Sequence, residues 1–188
     1  VMGLPKILIE FKTLAETLIA RSERGIVAVI LKDNSNTTKT AVYTKESEIV
    51  KSHYTATNLA YLSLVFMGGP SKVIVERVQT SDNISDALER LKNKRWYYLA
   101  VPGLGDGETD TVVEYIKEQR TQYHKTFKAV LPLAAADNEG IINFATDNIK
   151  IAAKTYTTAE FCCRIAGILA GLPLNRSATY YTLPEVES

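Results

Sequence analysis

The sequence has few of the side chains that metal centres and disulfide frameworks need. Among its 188 residues there are two histidines, His53 and His124, and two cysteines, Cys162 and Cys163. Two histidines cannot form a multi-histidine metal centre. The cysteines are adjacent, and neighbouring side chains on a helix diverge, so neither a disulfide between them nor a zinc site is expected. Buried free thiols in a reducing compartment fit the pair best.

A large excess of charge of one sign and long apolar runs are also lacking. Lys and Arg number 22 against 21 Asp and Glu, which gives a net charge of +1. A nucleic-acid-binding protein usually has a clustered excess of basic residues, so no nucleic-acid partner is expected. No stretch reaches the roughly 18 uncharged apolar residues that a membrane span requires, so no membrane insertion is expected. The content of 46% hydrophobic and 23% charged residues is that of a globular protein with a core.

Apolar, β-prone runs alternate with helical patterns along most of the chain. Ile26–Leu31 is a continuous apolar run, typical of a strand that is covered on both faces. Repeated alternation of strands and helices predicts an α/β fold with a largely parallel sheet flanked by helices. The further strands are predicted at 41–43, 72–78, 96–101, 127–131 and 141–144, and the helices at 59–66, 84–91, from 111 and from 157 to 172.

The last predicted helix carries the clearest local signals. Thr157 is followed three residues later by Glu160, the spacing of a capping box, and Thr111 with Glu114 repeats that spacing at an earlier helix. Small residues also recur at every fourth position of the last helix: Ala159, Cys163, Gly167 and Gly171. They form a ridge without bulk, along which another element can pack closely.

Three positions are candidates for ligand chemistry because they follow predicted strands, where open α/β sheets bind ligands. They are Asp82, the loop Gly103–Gly107 and Asp137. The loop lies between a strand and a helix, as a dinucleotide loop does, but its third glycine comes one residue early for G-x-G-x-x-G and no Walker lysine follows. Asp106 and Glu108 would also place negative charge where a pyrophosphate should lie.

The same loops leave a magnesium site open as an alternative. Asp82, Asp106 and Asp137 could converge as carboxylate ligands, although Asp82 also suits a helix cap and Asp137 a turn. There is no nucleophile elbow, and thiols in the middle of an apolar helix disfavour the thiolate. We therefore expect no catalytic residue, no cofactor and no metal. A nucleotide- or magnesium-dependent α/β enzyme remains the alternative.

The order and combination of several segments resemble the tail-sheath proteins of contractile phages and phage-like bacteriocins (tailocins) of Gram-positive hosts. The resemblance runs from Gly3 to the end of the chain. Subunits of this family continue past this point, so we expect the chain to be an N-terminal part that lacks its C-terminal remainder. The matching segments are Gly3–Lys12, Arg21–Lys32, Gly68–Arg77, Lys125–Pro132, Gly140–Phe144 and Tyr156–Tyr181.

The resemblance implies a structural rather than an enzymatic function. Family subunits polymerise around a tail tube and contract to drive the tube through a cell envelope, without a cofactor. The implied partners are other sheath subunits, the tail tube protein and the baseplate. Assembly would take place in the bacterial cytoplasm, and the product would be part of a virion or of a released phage-tail-like particle.

The resemblance also gives a meaning to the N-terminal segment. Family subunits are linked by terminal arms that add strands to a neighbour's sheet, so we expect residues 1–24 to be an arm and residues 25–188 to be the α/β sheath domain. The strand-like segment of the arm is suited to this pairing, with its side chains on two alternating faces. A hinge is expected at Thr13–Gly25, and the alternative is that the strand pairs within its own domain. The predicted inter-subunit residues are Ile7, Leu8, Ile9, Glu10 and Phe11.

Overall fold

The computed structural model describes residues 25–105, 107–151, 154–173, 175–183 and 185–186. The predicted arm, its hinge up to residue 24, and Asp106 lie outside the described residues. The described part of the chain contains all the predicted strands and helices of the α/β core.

Six strands form the main sheet, and they are β1 (Ile26–Lys32), β2 (Thr40–Tyr43), β3 (Lys72–Val78), β4 (Tyr98–Ala100), β5 (Lys128–Pro132) and β6 (Ile141–Phe144). Their order across the sheet is β2-β3-β1-β4-β5-β6. Every neighbouring pair is parallel except β2 with β3. The predicted α/β fold with a largely parallel sheet is therefore confirmed.

Four α-helices cover the sheet, and they are α1 (Ala56–Phe66), α2 (Ser85–Lys92), α3 (Glu108–Thr121) and α4 (Thr158–Gly171). Helices α2 and α3 pack on one face and α1 and α4 on the other, so each face has its own apolar core. Strand β1 contributes side chains to both cores, because Ala28 and Ile30 point into the first core while Val27 and Val29 point into the second. Burial on both faces explains why this strand is apolar throughout.

The sequence patterns missed a small hairpin and made one strand too long. A small hairpin of β7 (Ile149–Ile151) and β8 (Lys154–Tyr156) precedes α4, and its three-residue strands are too short to give a periodic signal. The predicted strand at 96–101 is shorter. Trp96 precedes it, fully buried, with its ring stacked 3.8 Å from that of Phe127 and its Nε1–H bonded to the carbonyl of Leu91.

One predicted capping box forms and the other does not. Thr157 Oγ1 accepts a hydrogen bond from the Glu160 amide, and the Glu160 carboxylate accepts one from the Thr157 amide at 2.9 Å. The prediction at Thr111 is wrong, since α3 begins one turn earlier, at Glu108. Gly107 precedes that start with a φ of 76°, which an L side chain rarely adopts.

The small-residue ridge of α4 packs against the end of α1, as its spacing predicts. A Cβ built on Gly167 would overlap the carbonyl of Val65, and one built on Gly171 would overlap the carbonyl of Gly68. Gly68 in turn lies against the backbone of Gly167. The two helices therefore approach backbone to backbone, a distance that only glycine permits.

Candidate functional site

The crevice in which folds of this kind bind ligands is closed by the chain's own side chains. It lies between the carboxyl ends of β1 and β4, because the helices that follow these strands go to opposite faces of the sheet. Lys32, at the end of β1, donates hydrogen bonds to both carboxylate oxygens of Glu108, at 3.0 and 2.8 Å. The amide of Gly105 donates to the same carboxylate at 2.5 Å.

This arrangement gives the start of α3 an anion of its own. Burial of Glu108 opposes its ionisation, but the hydrogen bonds from Lys32 and from the Gly105 amide outweigh that effect and lower its pKa. A carboxylate at a helix N-terminus is also favoured by the helix dipole. The position that a nucleotide phosphate would take is therefore occupied, and the predicted loop Gly103–Gly107 gives no support for nucleotide binding.

Two of the three carboxylates considered as magnesium ligands, Asp82 and Asp137, belong to separate parts of the sheet edge. Asp82 follows β3 and Asp137 follows β5, and two strands lie between β3 and β5, which places the strand ends about 14 Å apart. Among the described residues, no group of three His, Cys, Asp or Glu side chains could hold a metal ion. Asp82 does not cap α2 either, because Asn83 accepts the hydrogen bond from the Ser85 amide.

A buried polar network lies beside the closed crevice. Asp33 is 1% exposed, and its carboxylate accepts hydrogen bonds from the Ser35 amide at 2.8 Å, the Thr55 amide at 2.9 Å and the Asn58 side chain at 2.6 Å. Asn58 also donates to the carbonyl of Lys32. The network joins the end of β1 to the start of α1, where Thr55 is the N-cap. Sequence reasoning missed it because its members are up to 26 residues apart.

Stability is expected to depend on the ionisation of Asp33. Burial opposes its charge, but hydrogen bonds from Asn58, Thr55 and Ser35 outweigh that and lower its pKa from 3.8 to about 2. The ionised Asp33 carboxylate therefore contributes about 2 kcal/mol to the free energy of unfolding. This contribution is present above about pH 4 and is lost as the pH falls towards 2. In urea unfolding at several pH values, Asp33→Asn should lower the free energy of unfolding at pH 7 and flatten its decline below pH 4. Asp137→Asn, at an exposed loop position, is the control, and an unchanged pH profile for Asp33→Asn would contradict the prediction.

A cleft of about 410 Å³ opens next to this network, at the ends of β1 and β3. Its lining combines three carboxylates with three cations, so it offers no net charge to an anionic or a cationic ligand. Arg77 is held there by structural contacts: its guanidinium donates to the carbonyls of Thr38 and His53 and lies 4.6 Å from the Tyr54 ring. The charged lining residues are Asp33, Asp82, Asp86, Lys39, Arg77 and Arg90.

The thiols and the histidine outside the loops are not arranged for catalysis. Burial raises the pKa of Cys162 to about 12 and holds the pKa of Cys163 well above its ordinary value, so both remain protonated thiols. His124 is exposed just beyond the end of α3. His124 does not lie beside either cysteine, because both cysteines are buried in the core under α1 and α4.

The C-terminal segment is tied to α4 by a buried ion pair. Arg164 is only 5% exposed, and its Nε and Nη2 atoms lie 2.7 and 2.5 Å from Glu185 Oε1. An arginine inside an apolar helix was visible in the sequence, but its partner, 21 residues later, was not. The pair holds the C-terminal segment against α4.

The predicted arm residues Ile7, Leu8, Ile9, Glu10 and Phe11 lie outside the described residues. The described sheet has two edges, formed by β2 and β6, and each of these strands pairs along one side only within the described part of the chain. Within that same part, no helix combines the length and apolar character needed to cross a membrane.

Comparison with known proteins identifies the family. A family model described as the phage tail sheath protein central domain matches residues 78–186, more than half of the chain. A tail sheath protein of Clostridium phage phiCD119 is 38% identical over 194 residues, in an alignment that covers 99% of this chain and 53% of that protein. The chain thus spans about half the length of this relative.

Solved sheath proteins share the fold. The crystal structure of a sheath tail protein from Desulfitobacterium hafniense matches with a TM-score of 0.74 at 16% identity, covering 98% of this chain and 66% of that one. The crystal structure of a sheath tail protein from Listeria innocua matches with a TM-score of 0.72 at 13% identity, and the match covers 87% of this chain and 61% of that one. The helical sheath of the anti-feeding prophage in its contracted state matches with a TM-score of 0.55 at 12% identity, and the match covers 89% of this chain and 52% of that one. These likenesses extend the family match beyond residues 78–186 at the level of fold, and the chain belongs to the phage tail sheath protein family.

Proposed function

We propose that this chain is part of a structural subunit of a contractile tail sheath, which polymerises around a tail tube and contracts to drive the tube through a cell envelope. The observation that carries the proposal is the match to the sheath family model over residues 78–186, together with 38% identity to a phage tail sheath protein. The fold likeness to a helical sheath in its contracted state supports it. The partners proposed are other copies of the subunit, the tail tube protein and the baseplate.

The closed ligand crevice supports a mechanical rather than a chemical function. The pair of Lys32 with Glu108 occupies the position at which an α/β enzyme of this topology would hold its ligand. A sheath needs no such site, because interfaces with two stable packings can store the energy of contraction. Assembly in the bacterial cytoplasm, followed by incorporation into a virion or a released particle, belongs to the same proposal.

The arm is the second part of the proposal. We assign residues 1–24 to an arm that links subunits and residues 25–188 to a sheath domain. An arm strand at Ile7–Phe11 would add to a neighbour's sheet, and main-chain pairing of this kind survives relative movement if the arm bends at Thr13–Gly25. The one-sided pairing of β2 and β6 supports the idea that this fold can accept a strand.

The test is negative-stain electron microscopy of the full-length protein with and without residues 1–12. We expect hollow striated cylinders from the intact protein and at least a tenfold lower yield from the shortened one, because the arm supplies the strand that joins neighbours. Dispersed particles from the intact protein would count against the sheath function. Equal cylinders from both proteins would leave that function in place and remove the arm from it.

A further inference from the structure

An acidic groove lies between α2 and α3 on the outer surface of the domain. It has a volume of about 360 Å³, and its charged lining residues are Glu89, Glu114 and Glu118, with no lysine or arginine. Glu114 and Glu118 are four residues apart on one helix, so their charges repel each other. Lys92 lies 3.8 Å from Glu89, and its charge also interacts with that of Glu118. The three carboxylates outnumber this one cation, so the groove keeps a net negative charge.

Tyr115 adds an unused hydrogen-bonding group to the acidic groove. Its hydroxyl oxygen is buried, although the residue as a whole is half-buried, and it has no hydrogen-bond partner among the described residues. Burial raises its pKa, and the charges of Glu89 and Glu118 raise it further, so the phenol keeps its proton. Buried hydroxyl groups are normally hydrogen-bonded, so this one is an exception in the wall of the groove.

A basic groove of about 350 Å³ lies at the amino-terminal ends of β4 and β5, where the chain continues from the ends of α2 and α3. Its charged lining residues are Lys94, Arg95 and Lys125, joined by His124, with no aspartate or glutamate. Lys94 is bound to Glu76, and Arg95 donates to the hydroxyl of Tyr97 at 3.3 Å. Lys125 is exposed, so it is the cation that this groove offers to another molecule.

We propose that the acidic groove of one copy of this chain binds the basic groove of the next copy, with Lys125 against Glu114 and Glu118. The inference rests on the proposed sheath function, which requires contacts between copies. Complementary charge is the observation that selects the partner, and such charges set register and choice of partner. The two grooves are different surfaces, so the contact is head-to-tail, and repeated head-to-tail contacts that do not close into a ring build a helical filament.

A charge-swap experiment in the full-length protein tests the contact. We expect Glu114→Lys or Lys125→Glu alone to reduce sedimentable cylinders at least tenfold, and the double variant to restore them to within twofold of the parent. Glu46→Lys and Lys51→Glu change exposed charges elsewhere and serve as controls. Single variants that assemble like the parent would overturn the inference, as would a double variant no better than the single ones.

Cross-linking separates failure of this contact from failure of the sheath function. Glu114→Cys and Lys125→Cys variants are mixed at high concentration and treated with a short bismaleimide, which should not label the buried Cys162 and Cys163. We expect covalent dimers from the mixture and at least tenfold fewer from either variant alone. Dimers without cylinders would uphold the contact and reject the sheath. Cylinders without dimers would uphold the sheath and overturn the contact.

Discussion

Replacing Gly167 with alanine is expected to lower the free energy of unfolding by about 3 kcal/mol. The new methyl group would overlap the backbone carbonyl of Val65, so α1 and α4 would have to separate. Their contact closes the core beneath one face of the sheet, and separation would loosen its packing around Cys162 and Ala166. Close-packed interiors resist such shifts.

The overlap at Gly167 is expected to cost more than an ordinary overpacked site. The neighbour is main chain, so no side chain can rotate away to relieve the overlap. The gain from replacing a helical glycine with alanine is only about 1 kcal/mol and offsets a minor part of the cost. Gly171→Ala is expected to act similarly, because its methyl group would overlap the carbonyl of Gly68.

Urea unfolding monitored by circular dichroism measures the effect. Gly103→Ala is the matched control, since a Cβ there has no heavy atom within 4 Å and the residue is exposed. The control should remain within about 0.5 kcal/mol of the parent. A Gly167→Ala protein as stable as the control would show that the helices are not in backbone contact.

This close approach was predictable because its signal is local. Small residues at every fourth position place one narrow ridge on one side of a helix, whatever the rest of the fold does. The capping box at Thr157 is local in the same sense, and the apolar runs that became β1 and β3 reflect burial on both faces. Fold class follows from such features, since the alternation of strands and helices leaves few topologies open.

The closed crevice could not be predicted in the same way. The sequence showed that Glu108 puts negative charge at the start of a helix, but its partner Lys32 is 76 residues away. Only the order of strands in the sheet brings β1 beside β4 and so places the two charges together. The failed capping box at Thr111 has the same origin, because the pair with Lys32 favours a helix that already begins at Glu108. Contacts of this kind can be predicted only once the order of the strands in the sheet is known.

Replacing Glu76 with leucine is expected to lower the free energy of unfolding by about 3 kcal/mol. Glu76 is fully buried in β3, where its carboxylate binds Arg90 at 2.7 Å, Lys94, and the Thr40 hydroxyl at 3.0 Å. Without it, two cations lose their common anion while their side chains remain 25% and 30% exposed. Partial solvation of these cations keeps the cost at the lower end of the range for a broken buried pair.

A double-mutant cycle distinguishes the lost pairing from a simple packing defect. If Glu76 acts through its charge, the double variant Glu76→Leu with Lys94→Met should lose less free energy of unfolding than the two single variants lose together. The difference should be about 1 kcal/mol or more. The exposed pair of Lys92 and Glu89, 3.8 Å apart, is the control, and its coupling should be too small to measure. Because Thr40 begins β2 and binds the same carboxylate, hydrogen exchange of the β2 amides should accelerate in Glu76→Leu. Additive single variants with unchanged β2 exchange would instead mean that Glu76 merely fills space, and that β2 is held to the sheet by its backbone ladder alone.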